Sequence, residues 1–171
     1  MQLTSFTFLF AFLPVSLLFL LLLRKRLPGQ NAALLILSVL FCAASGLAGF
    51  LAGLLETLAV YAFARLLARN KSPKARKTVF TLGVLFCVGL LCYFKYTNFL
   101  LGALSLPTVS LLPAPVGVSF LTFLLISYLA DVYRKTAEYE PSFVNFAMYI
   151  SMFPQLIAGP IVLHSEIVPQ F

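Results

Sequence analysis

Charge and histidine are what this sequence has least of. Five Asp and Glu and a single histidine, His164, are spread over 171 residues, and charged residues make up only 10% of the chain. Soluble domains carry about 25% charged residues, so an ordinary soluble fold is excluded. One histidine leaves no metal-ligand spacing, and no Ser-His-Asp order or Gly-rich phosphate loop is present. Glu166 is the acid nearest His164, but i and i+2 do not face each other on a helix, so the pair makes no acid–base couple. Cysteine is scarce as well: three residues, all within apolar segments. Cys87 and Cys92, five apart, fall on different sides of a helix, which argues against a disulfide framework and for small buried residues.

Hydrophobic sequence fills the space that charge leaves. Apolar residues make up 61% of the chain and the mean hydropathy is +1.02. The expected fold is therefore all-α, a polytopic membrane protein with spans at about 6–23, 31–50, 51–68, 79–96, 116–132 and 143–157. Eighteen helical residues reach about 27 Å, close to the thickness of the hydrocarbon core. The first span lacks the preceding basic residues and the cleavage site of a secretory signal and is read as retained, with Pro14 a tolerated kink.

The net charge of +7 is concentrated at span ends. Arg24-Lys25-Arg26, the stretch from Arg65 to Lys77, and Arg134-Lys135 hold every basic residue except Lys95. All three blocks fall on one side of the alternating segments, which places them in the cytoplasm and the N-terminus outside. A nucleic-acid partner is not expected, because no soluble module carries a basic stripe. Lys95, in "YFKYTNF", is expected to snorkel to an outer interface beside Tyr93 and Tyr96.

Polar groups inside spans need individual accounts, because each is costly to insert. Glu56 suits a cavity-facing role and an interfacial one equally. Arg65 reads as a solvated helix end. In "PVGVSFLTFLLISYLADVYRK", the residues Ser119, Thr122, Ser127 and Asp131 lie on one side of a helix. They either line a water-filled path or hydrogen-bond neighbouring helices, and Arg134 is placed to pair with Asp131 at i, i+3. Gly49 and Gly53 make a GxxxG spacing that permits close helix contact, and chance occurrence in a Gly-rich apolar stretch accounts for it at least as well.

Three ordered motifs carry a resemblance. "YFKYTNFLL", "PVGVSFLTFLLISYLADVYRK" and "NFAMYISMFPQLIAGPIVLHSEIVPQF" together resemble the membrane-bound O-acyltransferase family, in its bacterial branch that acetylates alginate and related exopolysaccharides. The resemblance is strong over about residues 90–171 and general in the first three spans. It implies a ring of helices around a tunnel, with residues 1–171 forming the N-terminal part of a single membrane domain in a bacterial inner membrane. It also implies transfer of an acetyl group from a cytoplasmic thioester donor such as acetyl-CoA, with no bound cofactor or metal. The acceptor would be a cell-envelope or exopolysaccharide hydroxyl, with a separate outer-face acetyltransferase as a further partner.

Asp131 and Arg134 match the family's "DVYR", and Gly159-Pro160 its broken or re-entrant element. The family's catalytic histidine follows "FPQLIAGPI" by a long stretch, so His164 is not equated with it and reads as a loop residue. No catalytic residue is assigned within the chain, which is expected to be inactive by itself. Two departures stand out: Leu124 where the family often has glutamine, and Leu163-His164 where a basic residue is usual. The alternative from another class is a non-catalytic six-span scaffold that binds a partner.

Overall fold

The computed structural model describes residues 12–22, 27–44, 46–107, 112–115 and 117–151, with Phe6 and Phe10 placed singly. Gly159, Pro160, His164, the first basic block and the end of the expected sixth span lie outside the described residues. Among those described the secondary structure is helical, without strands. Six helices follow in order: α1 (Leu13–Leu22), α2 (Leu27–Ala44), α3 (Leu47–Arg69), α4 (Pro73–Ala103), α5 (Val118–Arg134) and α6 (Phe143–Ser151).

Two of these, α3 with 23 residues and α4 with 31, are long and apolar enough to cross a membrane. Their lengths correspond to about 34 and 46 Å, so both overshoot a hydrocarbon core of about 30 Å. The fourth helix begins earlier than hydropathy indicates, at Pro73 rather than Val79. Proline suits a first helical turn because its missing N–H has no intrahelical acceptor there. Lys74, Arg76 and Lys77 are thereby helical residues and not loop.

The turn between the second and third helices is also displaced, falling at Gly46 instead of at 50/51. Gly46 has φ 143°, a conformation that side chains resist and glycine accepts. The GxxxG pair does different work from that expected. A Cβ on Gly49 would lie 2.6 Å from the Ala114 carbonyl oxygen, and one on Gly53 would lie 3.3 Å from Pro115 and Leu121. The two glycines thus admit the segment before α5 onto α3, rather than seating α2.

The core is built around α5, which packs along both α3 and α4, while α6 sits against α2 and α3. Leu121, Leu124, Leu125, Tyr128, Leu129 and Val132 of α5 join Val60, Ala64 and Leu67 of α3, Cys87 of α4, and Phe146, Tyr149 and Ile150 of α6. Leu124, the departure from the family's glutamine, is buried in this cluster. Gly83 lets α4 approach: a Cβ there would lie 2.5 Å from Leu129 and 3.4 Å from Phe63.

Beyond Gly83 and Cys87 the surface of α4 is open, with Leu82, Leu85, Phe86, Val88, Phe99 and Leu100 exposed. A helix with an apolar outward face has the surface that lipid contact requires.

Candidate functional site at the α3–α4–α5 junction

The polar side of α5 is divided among its neighbours. Thr122, fully buried, donates its hydroxyl hydrogen to Glu56 Oε1 on α3 at 3.0 Å. Ser119, a turn earlier, accepts a hydrogen bond from Lys95 Nζ on α4 at 3.3 Å. Ser127 is half-buried. Asp131 Oδ1 accepts from Thr136 Oγ1 at 3.2 Å, just past the helix end. The four residues share a helix side but are not brought together: one meets α4, one meets α3 and one meets the following loop.

Glu56 is the most unusual of these groups. It is 1% exposed, and as the tenth residue of α3 it stands about 14 Å from the helix start. Its surroundings are the side chains of neighbouring helices. Oε2 is buried with no hydrogen-bond partner among the described residues, and Cys87 lies within electrostatic range. Thr57, next to it, returns its own hydroxyl to the Gly53 carbonyl at 2.8 Å. A buried carboxylate is expensive unless paired, and Thr122 Oγ1 is the hydrogen-bond partner that Glu56 has among the described residues.

A narrow cleft opens beside this junction, walled by Leu35, Val39, Phe50, Leu54, Leu121 and Ile150. Glu56 is not among its walls. The cleft is apolar, and its lining suits hydrocarbon rather than a sugar.

The end of the junction where α3 and α5 terminate is held by a residue the sequence left in a crowd. Arg76 lies in the basic stretch "RNKSPKARKT", where nothing in its spacing distinguishes it. From the first turn of α4 its Nη1 donates to the Leu67 carbonyl of α3 at 2.6 Å. Its Nη2 donates to the Val132 and Tyr133 carbonyls of α5 at 2.9 and 2.7 Å. These carbonyls lie in the last turns of α3 and α5, where intrahelical donors run out, and a cation there also meets the negative ends of two helix dipoles. The guanidinium lies 5.9 Å from the Tyr133 ring centroid, and that ring stacks on Phe80 at 4.5 Å.

Arg134, the residue expected to pair with Asp131, is exposed and forms no ion pair with it among the described residues. The helix ends instead with Lys135 in the left-handed region, φ 62°, and Thr136 N–H donating to the Asp131 carbonyl. Asp131 Oδ2 is buried and unpartnered among the described residues.

The loop that follows is tied down by polar side chains. Glu140 N–H donates to the Tyr128 hydroxyl at 3.0 Å, and Glu140 Oε1 accepts from Ser142 N and Asn145 Nδ2. The Tyr61 hydroxyl donates to the Pro141 carbonyl at 2.7 Å. No group of three or more His, Cys, Asp or Glu residues able to hold a metal occurs among the described residues.

Comparison with known proteins supplies what the geometry lacks. The chain is 34% identical to a peptidoglycan O-acetyltransferase of Helicobacter pylori, over 96% of this chain and 37% of that protein. It is also 34% identical to the probable alginate O-acetylase AlgI of Pseudomonas aeruginosa and to that of Azotobacter vinelandii. Those matches cover all of this chain and 34% and 36% of the relatives. The chain thus spans about a third of the length of these curated relatives. No protein-family model matches it, and no solved structure matches it. Shared identity along the whole chain, on a helical scaffold with lipid-compatible surfaces, places the protein: it belongs to the membrane-bound O-acyltransferase family, in the branch that holds these peptidoglycan and alginate O-acetylases.

Proposed function

We propose that this chain is part of a membrane O-acetyltransferase that moves an acetyl group from a cytoplasmic thioester donor toward a hydroxyl of a cell-envelope or exopolysaccharide. The observation that carries the reading is the whole-chain identity with relatives named for O-acetylation of peptidoglycan and alginate. In such a transfer the acyl carbon–sulfur bond breaks and a carbon–oxygen ester bond forms. The acceptor hydroxyl gives up its proton to a general base, and the thiol leaves with a proton. The base in this reading is a histidine outside the present sequence, and residues 1–171 supply no catalytic group.

The role left to this chain is architectural. Six spans with the N-terminus outside and the basic blocks inside would form one wall of the tunnel, in a bacterial inner membrane. The polar side of α5 would serve in this wall as helix-to-helix contacts, Ser119 with Lys95 and Thr122 with Glu56. Arg76 and the Glu56–Thr122 bond would hold that helix against α3 and α4.

The test is expression of the gene's entire reading frame in a bacterium stripped of its own polysaccharide O-acetylases, followed by measurement of ester-linked acetate on the polymer. Acetate above the empty-vector level is the expected result. A membrane-inserted, stably expressed product that adds no acetate, yet retains a specific membrane partner on purification, would replace this reading with the scaffold.

A further inference from the structure

A second, open cleft lies at the carboxyl end of α3 and is walled by Tyr61, Arg65, Ala68, Arg69, Tyr139 and Pro141. We propose that it binds the phosphate of an anionic membrane lipid. The inference rests on α3 crossing the bilayer and not on the acetyl-transfer reading.

Arg65 and Arg69 are four residues apart and therefore neighbours on one helix face. Both are exposed, and neither forms an ion pair or a hydrogen bond among the described residues. Basic residues in a last helical turn commonly serve the helix's own free carbonyls, but here other groups have taken that work. Asn70 donates to the Leu66 carbonyl from both its backbone N–H and its Nδ2, the latter at 2.8 Å, and Arg76 donates to that of Leu67. The two guanidiniums are left over, side by side, at the mouth of a cleft.

The back of the cleft is fixed. The Tyr61 hydroxyl is held by the Pro141 carbonyl, and its ring packs at 5.4 Å from Tyr139, 5.2 Å from Phe143 and 5.4 Å from Phe146. The nearby carboxylates stand outside the walls. Glu140 Oε1 accepts two hydrogen bonds of its own, and Glu138 is exposed but is not part of the lining.

Depth selects the ligand. A helix of about 34 Å in a core of about 30 Å leaves its last turn among the headgroups, where tyrosines also collect. Two guanidiniums offer planar, forked donors that match phosphate oxygens. A lipid phosphodiester presents that anion at this level, with its acyl chains against the apolar outward faces of the helices. A separate basic cleft on α4, with Lys74, Lys77, Thr78 and Thr81, has the same charge but no aromatic wall, and it makes an internal control.

The experiment uses the full-length chain, purified in a neutral detergent, and native mass spectrometry of bound lipid during titration with phosphatidylglycerol over a phosphatidylcholine background. Each basic residue near an anionic surface contributes roughly fivefold to attraction. R65Q/R69Q is therefore expected to weaken phosphatidylglycerol binding by roughly tenfold or more, and K74Q/K77Q by a clearly smaller factor, because ammoniums without an aromatic wall supply charge but no forked donors. R65K/R69K, which keeps the charge and loses the fork, is expected to fall between them. Unchanged melting temperatures show that the variants are folded.

Equal losses for the two double variants would mean a diffuse basic surface and would overturn the site. Unchanged binding in R65Q/R69Q would do so as well. Displacement of the lipid by millimolar inorganic phosphate would assign the cleft to a soluble phosphate ligand and overturn the lipid assignment. Retention of the lipid under that challenge is the expected result.

Discussion

Removing the Arg76 side chain is the most informative single perturbation of this fold. Arg76→Ala deletes three hydrogen bonds to carbonyls of two different helices and the cationic contact with Tyr133. A hydrogen bond from a charged donor contributes about 1.5–3 kcal/mol net. The plain sum overstates the loss, because Arg76 is only partly buried and water can reach some of the abandoned carbonyls. A loss of about 3 kcal/mol is expected, the size of one fully lost charged bond plus partial loss of the others.

For a chain of this length that corresponds to a fall of about 6–12 °C in thermal midpoint. Unfolding can be followed in detergent with a thiol-reactive dye on a variant that keeps Cys87, which is buried, and replaces Cys42 and Cys92. Arg76→Lys separates charge from geometry: an ammonium preserves the interaction with the helix ends but cannot fork between α3 and α5. It is expected to restore less than half of the loss. A midpoint for Arg76→Ala within about 1 °C of the parent would refute the clamp. Full recovery by lysine would reduce it to a dipole effect.

Other perturbations test neighbouring contacts. Thr122→Val, nearly isosteric, leaves the Glu56 carboxyl without its partner and is expected to cost about 1–3 kcal/mol in the same assay. Glu56→Gln keeps an acceptor for the Thr122 hydroxyl and is expected to fall within about 1 kcal/mol of the parent; a larger loss would mean that the charge itself is needed. Gly49→Ala pushes a methyl group against the Ala114 carbonyl and is expected to destabilise by about 1–3 kcal/mol. Gly89→Ala, where a Cβ meets nothing within 4 Å, is expected to be neutral or to stabilise by up to about 1 kcal/mol. Equal effects at the two glycines would contradict the close packing of the 112–115 segment on α3.

The polar residues of α5 illustrate how far a linear pattern reaches. Their placement on one helix side follows from a 3.6-residue period and needs no coordinates. Their partners do not follow, because Lys95 and Glu56 are separated from Ser119 and Thr122 by 24 and 66 positions. The expected Asp131–Arg134 pair rested on local spacing, yet a nearer hydroxyl at Thr136 takes Oδ1 when the chain turns at Lys135. The GxxxG spacing, open to chance as much as to packing when read alone, does mark a close approach, but of the 112–115 segment, which arrives from a distant part of the chain.

Composition by itself determined an apolar helical protein, because five acidic residues and a 61% apolar chain cannot clothe a soluble core. Three ordered motifs pointed to the family, since they are read from residue identity and order. Tertiary structure alone decided that Glu56 is buried among helices and that Arg76, of six basic residues between positions 65 and 77, is the one that joins α3 to α5. It also decided that Arg65 and Arg69 line a cleft without a partner among the described residues. The physical reason is common to all three. Charges of one sign on one side of a membrane are interchangeable for topology, and they become distinct only when packing sets which carbonyls, rings and hydroxyls each one meets.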